Sequence, residues 1–146
     1  MRRLVLILVL IYSSYLTAQR MPVNEAYAVG AVRVIVTAEN TYASSYPNYG
    51  YTCDIARLGG STGTPNAFHA DLIGVELASG IKDGYRFTLR NCVRKGKTIF
   101  SYSIVAYPLE PGRSGVHIFC SDQTGVIRIQ NGGRAETCGP NSRPLQ

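Results

Sequence analysis

The sequence lacks tryptophan and contains only two histidines, His69 and His117, among its 146 residues. It also lacks the HExxH pattern of zinc peptidases and the GxSxG pattern of serine hydrolases. Its acidic side chains are scattered, and no two are placed as an obvious general acid and base. Both histidines are most simply interpreted as exposed or locally hydrogen-bonded side chains. We therefore predict a protein that is not an enzyme and that holds no cofactor and no metal.

The sequence has no unbroken apolar run of the roughly 20 residues that a membrane-spanning helix needs. Its N-terminal run, LVLILVLI, covers residues 4–11 after two arginines, and small residues follow up to Ala18. This arrangement is typical of a signal peptide. We predict that residues 1–18 are a signal peptide and that residues 19–146 form one domain. The alternative is an uncleaved N-terminal membrane segment.

The excess of positive charge is small, with 15 Lys and Arg against 9 Asp and Glu, for a formal net charge of +6. An excess of this size does not by itself predict nucleic-acid binding, and we expect none. The basic residues are densest on one predicted hairpin, at Arg86, Arg90, Arg94, Lys95 and Lys97. These residues are candidate contacts with a polyanionic surface. The alternative, which we favour, is a solvated hairpin tip that keeps a strand edge from aggregating.

The sequence contains four cysteines and no CxxC pair, so a four-cysteine zinc site is not expected. An even number of cysteines in an exported chain favours two disulfides. Four cysteines allow three pairings. We favour Cys120 with Cys138, which closes a short loop, and Cys53 with Cys92.

The apolar periodicity predicts one long helix followed by a sheet. Asn24 is the expected N-cap, and apolar residues then recur every three or four positions until Pro47 ends the helix. Glu39 is the one charged residue on that face. Four later segments have strand character and short turns between them, which predicts an antiparallel meander. The expected fold is α+β, one helix on a roughly four-stranded sheet, with strands at residues 84–91, 98–107, 115–121 and 125–130.

Tyrosine is abundant, with ten residues, and four of them lie together in TYASSYPNYGY. Aromatic clusters bind sugars or protein partners, but they also pack between a helix end and a sheet. We favour packing, and we keep Tyr49 and Tyr51 as candidate surface contacts.

The segment RMPVNEAYAVGAVRVIVTAENTYASSYP resembles the part of bacterial type IV pilin-like proteins that follows their membrane helix. This family includes the pseudopilins of type II secretion. Four later motifs of a pilin-like subgroup recur in the same order, so the resemblance covers roughly residues 20–138. It implies a long N-terminal helix on an antiparallel sheet and a C-terminal loop that a disulfide often closes. The four motifs are Gly50–Cys53, Gly84–Leu89, Tyr102–Pro108 and Phe119–Arg128.

The chain departs from the family at its N-terminus, where the GFTLIE processing site is missing. It also lacks the Glu that, in the family, pairs with a neighbouring subunit's amino terminus during assembly. The resemblance implies a non-enzymatic exported protein that acts through protein–protein contacts, as a minor pilin, a pseudopilin or an accessory of a type II secretion or type IV pilus system. The alternative is a soluble secreted module that binds a surface polymer or carbohydrate. We expect a periplasmic, extracellular or cell-surface location, or inner-membrane anchoring if the N-terminus is uncleaved.

Overall fold

The computed structural model describes residues 22–146, so the expected signal peptide at residues 1–18 lies outside the described part. Helix α1, Val23–Ser45, is buried along one face. It ends just before Pro47, as the sequence predicts, and the N–H of Tyr46 donates to the carbonyl of Tyr42 at 2.8 Å. No helix in the described part combines the length and the apolarity that crossing a bilayer requires.

The predicted N-cap at Asn24 is wrong. The helix begins at Val23, with Pro22 before it, and the carbonyl of Pro22 accepts from the N–H groups of Glu25 and Ala26. The side-chain amide of Asn24 instead donates to the carbonyl of Ser114 at 3.2 Å. A polar side chain in the first turn therefore ties the helix to a distant loop.

The sheet has six antiparallel strands in the order β1-β2-β3-β4-β5-β6, so every strand pairs with its neighbours in the chain. Strands β2 and β3 form a long hairpin that extends past the other strands at its tip. The strands are β1 Ile81–Lys82, β2 Tyr85–Lys95, β3 Thr98–Pro108, β4 His117–Asp122, β5 Arg128–Asn131 and β6 Arg143–Pro144.

The expectation of a roughly four-stranded sheet is wrong, although the fold is α+β. The two extra strands, β1 and β6, are two residues long, which is too short for a period of two to be visible in the sequence. Strand β1 joins β2 through a turn in which Asp83 and Gly84 both have positive φ. Strand β6 adds the C-terminal tail to β5, and the N–H of Leu145 donates to the carbonyl of Ile127 at 2.8 Å.

The core lies between α1 and one face of the sheet. Tyr85 and Phe87 on β2 and Ile104 on β3 point to the helix, where Val32 and Ile35 are fully buried. In the described part of the chain, three short helical segments accompany this layer pair: a 3₁₀ turn Ile55–Leu58, helix α2 Val75–Ala78 and a 3₁₀ turn Ala135–Thr137.

The opposite face of the sheet is partly covered by the C-terminal segment. Val105 and Ile118 form a small second cluster there with a disulfide, Cys120–Cys138. The other disulfide, Cys53–Cys92, joins the segment after α1 to β2. This pairing is the one favoured from the sequence, and two disulfides fit an oxidising, exported location.

Candidate functional site

A groove of about 380 Å³ opens between the end of α1, the segment that follows it and the tip of the β2–β3 hairpin. We call it the aromatic–basic groove, because aromatic and cationic side chains supply much of its wall. It is lined by Tyr42, Tyr49, Tyr51, Thr52, Cys53, Asp54, Arg57, Phe68, Arg94, Gly96, Lys97 and Ile99.

One wall of the groove is held by a short parallel pairing with the hairpin. The N–H of Ile99 donates to the carbonyl of Tyr49 at 2.8 Å, and the N–H of Tyr51 donates to the carbonyl of Ile99 at 3.0 Å. Gly50 lies between the two tyrosines at φ +66°. A Cβ at this position would overlap the carbonyl oxygen of Ile99, so only glycine allows the backbones to approach this closely.

The aromatic rings of the groove are packed edge to face. Tyr51 contacts the buried Tyr102 with centroids 5.0 Å apart, and Tyr49 contacts Phe68 at 6.2 Å. The side chain of Phe68 is 54% exposed, and the guanidinium of Arg57 lies over its ring at 5.0 Å. These tilted pairs hold the rings in fixed orientations at the groove.

Positive charge dominates the ionisable groups of the groove. Arg94 and Lys97 are exposed at the hairpin tip, and Arg57 lies on the 3₁₀ turn. Among residues 22–146, Asp54 is the one carboxylate in the lining, and its Oδ2 lies 3.9 Å from Nε of Arg57. The lining thus holds three cationic side chains and one acidic side chain, which favours an anionic ligand.

A buried carboxylate supports the back of the groove. Glu39 on α1 is fully buried, and its Oε2 accepts from the N–H of Thr52 at 2.8 Å. Burial raises the pKa of Glu39 to about 8, although the hydrogen bond from Thr52 opposes this shift. Glu39 therefore stays largely protonated at neutral pH and adds little negative charge behind the groove.

The structure separates the candidate contact residues predicted from the sequence. Tyr49, Tyr51, Arg94 and Lys97 come together in the groove, whereas Lys95 lies at the hairpin tip outside its lining.

The other two predicted basic contacts lie elsewhere on β2. Arg86 alternates with the buried Tyr85 and Phe87, which places it on the sheet face away from α1. Arg90 is half-buried, and its guanidinium donates to the carbonyls of Ala135 and Cys138. Arg90 thus holds the C-terminal segment against the sheet and is not a free surface cation.

Sequence reasoning missed Arg57 and Phe68, which lie on the 3₁₀ turn Ile55–Leu58 and in the loop that follows it. No periodic signal marks them, because their positions depend on how the loop folds back. The hydroxyl of Tyr42 donates to the carbonyl of Ala67 at 2.7 Å, which places Phe68 beside the groove.

The outer side of α1 carries a second feature, an exposed apolar strip. Val23, Tyr27 and Val34 are 67%, 58% and 48% exposed, and they follow helical spacing on one side. A shallow cavity of about 440 Å³ runs beside Tyr27 and Val34, between α1 and helix α2. We call Val23, Tyr27, Gly30 and Val34 the helix strip.

In the described residues, neither histidine lies in a group of side chains that could hold a metal ion. In the part of the chain from residue 22 onward, no group of three His, Cys, Asp or Glu side chains is placed to hold a metal ion. The interpretation of His117 as locally bonded is wrong, since its Nδ1 lies 2.8 Å from Oε2 of Glu25, which is 92 positions away.

Comparison of the chain with protein-family models, with curated proteins and with solved structures gives no match.

Proposed function

We propose that this chain is an exported, non-enzymatic, pilin-like protein that acts through protein–protein contacts. Its role would be that of a minor subunit or accessory of a type II secretion or type IV pilus system. The sequence motifs between residues 20 and 138 support the family, and two disulfides fit the exported location.

The observation that carries this proposal is the helix strip. Three large apolar side chains on one side of α1 are about half exposed or more, next to an open apolar cavity. Contiguous exposed apolar surface of this kind marks sites of protein association more often than solvated surface does. A partner helix or loop packed on Tyr27 and Val34 would remove that surface from water.

Site-specific photocrosslinking in the native bacterium tests the proposal. A photoreactive phenylalanine analogue at Tyr27 of the full chain is expected to crosslink to a pilus or secretion-system component. The matched control is the same analogue at Val93 on the hairpin, which is 60% exposed against 58% for Tyr27. Crosslinks of equal yield at both positions, or none at Tyr27, would contradict the proposal.

A second candidate function is a soluble secreted module that binds a surface polymer or carbohydrate. The aromatic–basic groove favours it, because a concave site with fixed rings and several convergent polar groups is what small ligands and polymer segments use.

The mature N-terminus distinguishes the two candidates. N-terminal sequencing of the protein after cell fractionation would give Gln19 in a soluble fraction for the secreted module. A membrane-retained chain that still contains residues 4–11 would favour the assembly subunit.

A further inference from the structure

We infer that the aromatic–basic groove binds an acidic polysaccharide, a chain of uronic acid units, with sugar carboxylates on Arg94 and Lys97. This inference rests on the second candidate function and names its ligand class. The occupant follows from the charges of the groove, from its single carboxylate and from the packing of its rings.

The cations at the hairpin tip are available to a ligand. Within residues 22–146, neither Arg94 nor Lys97 forms an ion pair with a carboxylate, unlike Lys82 and Arg113. Both side chains are exposed at the mouth of the groove. An arginine presents a planar fork of N–H donors that matches a carboxylate, and a lysine adds a point charge.

The single carboxylate of the groove selects for a ligand that also carries hydroxyl groups. Asp54 is exposed, and its Oδ1 already accepts from the N–H of Ala56 at 3.0 Å, so further donors must approach its remaining lone pairs. A uronic acid unit offers both the hydroxyl donors that Asp54 accepts and the carboxylate that Arg94 binds. A phosphodiester backbone such as that of DNA offers no hydroxyl donor to Asp54.

The rings of the groove are not arranged as a row of parallel stacking platforms of the kind that binds single-stranded nucleic acid. Base stacking needs an open ring face, and such platforms bind each base by its π-face. In the groove, Phe68 has Arg57 over its ring, and Tyr51 is packed at 60° against Tyr102. Tyr49 and Tyr51 also bring phenol hydroxyls to the groove, which can form hydrogen bonds with the hydroxyl groups of a sugar.

The size of the groove agrees with a segment of a polymer. About 380 Å³ lies at the lower end of the roughly 300–1,000 Å³ range of ligand sites, and the groove is open to solvent. Binding of a short polymer segment is therefore expected to be modest in strength, and it should weaken with salt.

Isothermal titration calorimetry with short oligogalacturonates tests the inference. The matched neutral ligand is the fully methyl-esterified oligogalacturonate, which keeps the sugar backbone and loses the charge. We expect the acid to bind and the ester to bind at least about tenfold more weakly. Arg94→Gln and Lys97→Gln should each weaken binding of the acid several-fold. Lys95→Gln, which removes the same charge one position away from the lining, should leave it within twofold.

Each of the other outcomes contradicts the inference, and each identifies which part of it is wrong. Equal affinity for acid and ester overturns acid recognition while the polymer-binding function stands. Binding of neither, or equal losses in all three variants, overturns the groove as an acidic-sugar site, and the second candidate then depends on the N-terminal sequencing. Tighter binding of a single-stranded DNA or a poly-glutamate peptide of equal charge would assign the groove to another class of polymer. Thermal unfolding of each variant establishes that it is folded.

Discussion

The carboxylate of Glu25, in the first turn of α1, lies 2.8 Å from Nδ1 of His117 at the start of β4. Its other oxygen accepts from the backbone N–H groups of Val116 at 2.7 Å and His117 at 3.1 Å. Glu25 is fully buried, and this one side chain of the helix pairs with three polar groups at the start of β4. This contact fixes the position of α1 along the sheet.

Glu25→Gln is expected to destabilise the protein by about 1.5–3 kcal/mol near neutral pH, because hydrogen bonds to a charged acceptor are replaced by weaker ones. Burial raises the pKa of Glu25, but the hydrogen bonds from Val116 and His117 outweigh burial and hold the pKa below its usual 4.5. The unfolded chain therefore binds the proton at higher pH than the folded chain does. The stabilisation is complete above about pH 4.5 and is lost as the pH falls through the folded-state pKa.

Urea unfolding of the wild type and of Glu25→Gln between pH 3 and 7 measures this difference. Glu136→Gln is the control, because Glu136 is exposed on a 3₁₀ turn and its change should cost little at any pH. A gap between wild type and Glu25→Gln that grows on acidification would contradict the role of the ionised carboxylate.

Glu39 is expected to behave in the opposite way. Its folded-state pKa of about 8 lies above the ordinary 4.5, so the folded chain keeps a proton that the unfolded chain releases. The free energy of unfolding should therefore fall as the pH rises from about 4.5 to 8, by at most about 1.4 kcal/mol per pH unit.

Glu39→Gln isolates this effect, since the amide still accepts from the N–H of Thr52 and carries no ionisable proton. The variant should match the wild type near pH 5 and be the more stable protein at pH 8. Denaturation at both values checks this, and a variant that is less stable than the wild type at pH 8 would refute the protonated state.

The sequence predicts those helices and strands that come from long patterned segments. Helix α1 shows a clear period and strands β2 to β5 fall in segments with strand character, whereas β1 and β6 owe their pairing to a turn and to a tail that a disulfide brings back. The groove was predictable only in part. Tyr49 and Arg94 stand out by composition, but Arg57 and Phe68 reach the groove through loop contacts that leave no local pattern.

Arg90 is expected to hold the C-terminal segment closed. Its guanidinium spans two carbonyls, those of Ala135 and Cys138, across the face of the sheet. Arg90→Lys loses the planar Nη2 group that donates to both carbonyls, so local opening around Arg134 should become about tenfold more frequent while the Cys120–Cys138 disulfide keeps the fold intact.

The rate of trypsin cleavage after Arg134 measures this opening. Arg86→Lys is the matched control, because Arg86 lies on the same strand and on the same face of the sheet as Arg90. An equal rate in the two variants would show that Arg90 does not hold the C-terminal segment closed.

Alanine substitutions at Gly50 and Gly96 form a matched pair that tests how the wall of the aromatic–basic groove is held in place. Both have positive φ, +66° and +61°, so alanine at either position costs about 1–2 kcal/mol from the backbone conformation alone. A Cβ at Gly96 meets nothing within 4 Å, whereas one at Gly50 overlaps the carbonyl oxygen of Ile99.

Gly50→Ala must therefore also separate the Tyr49–Tyr51 segment from β3, and the two hydrogen bonds to Ile99 are lost or stretched. We expect it to cost at least about 2 kcal/mol more than Gly96→Ala, because each lost buried hydrogen bond contributes about 1 kcal/mol. Urea denaturation of both variants gives the two costs, and hydrogen exchange at the N–H groups of Tyr51 and Ile99 locates the damage. Equal costs, or unchanged protection at Ile99 in Gly50→Ala, would mean that this pairing does not hold the groove wall in place.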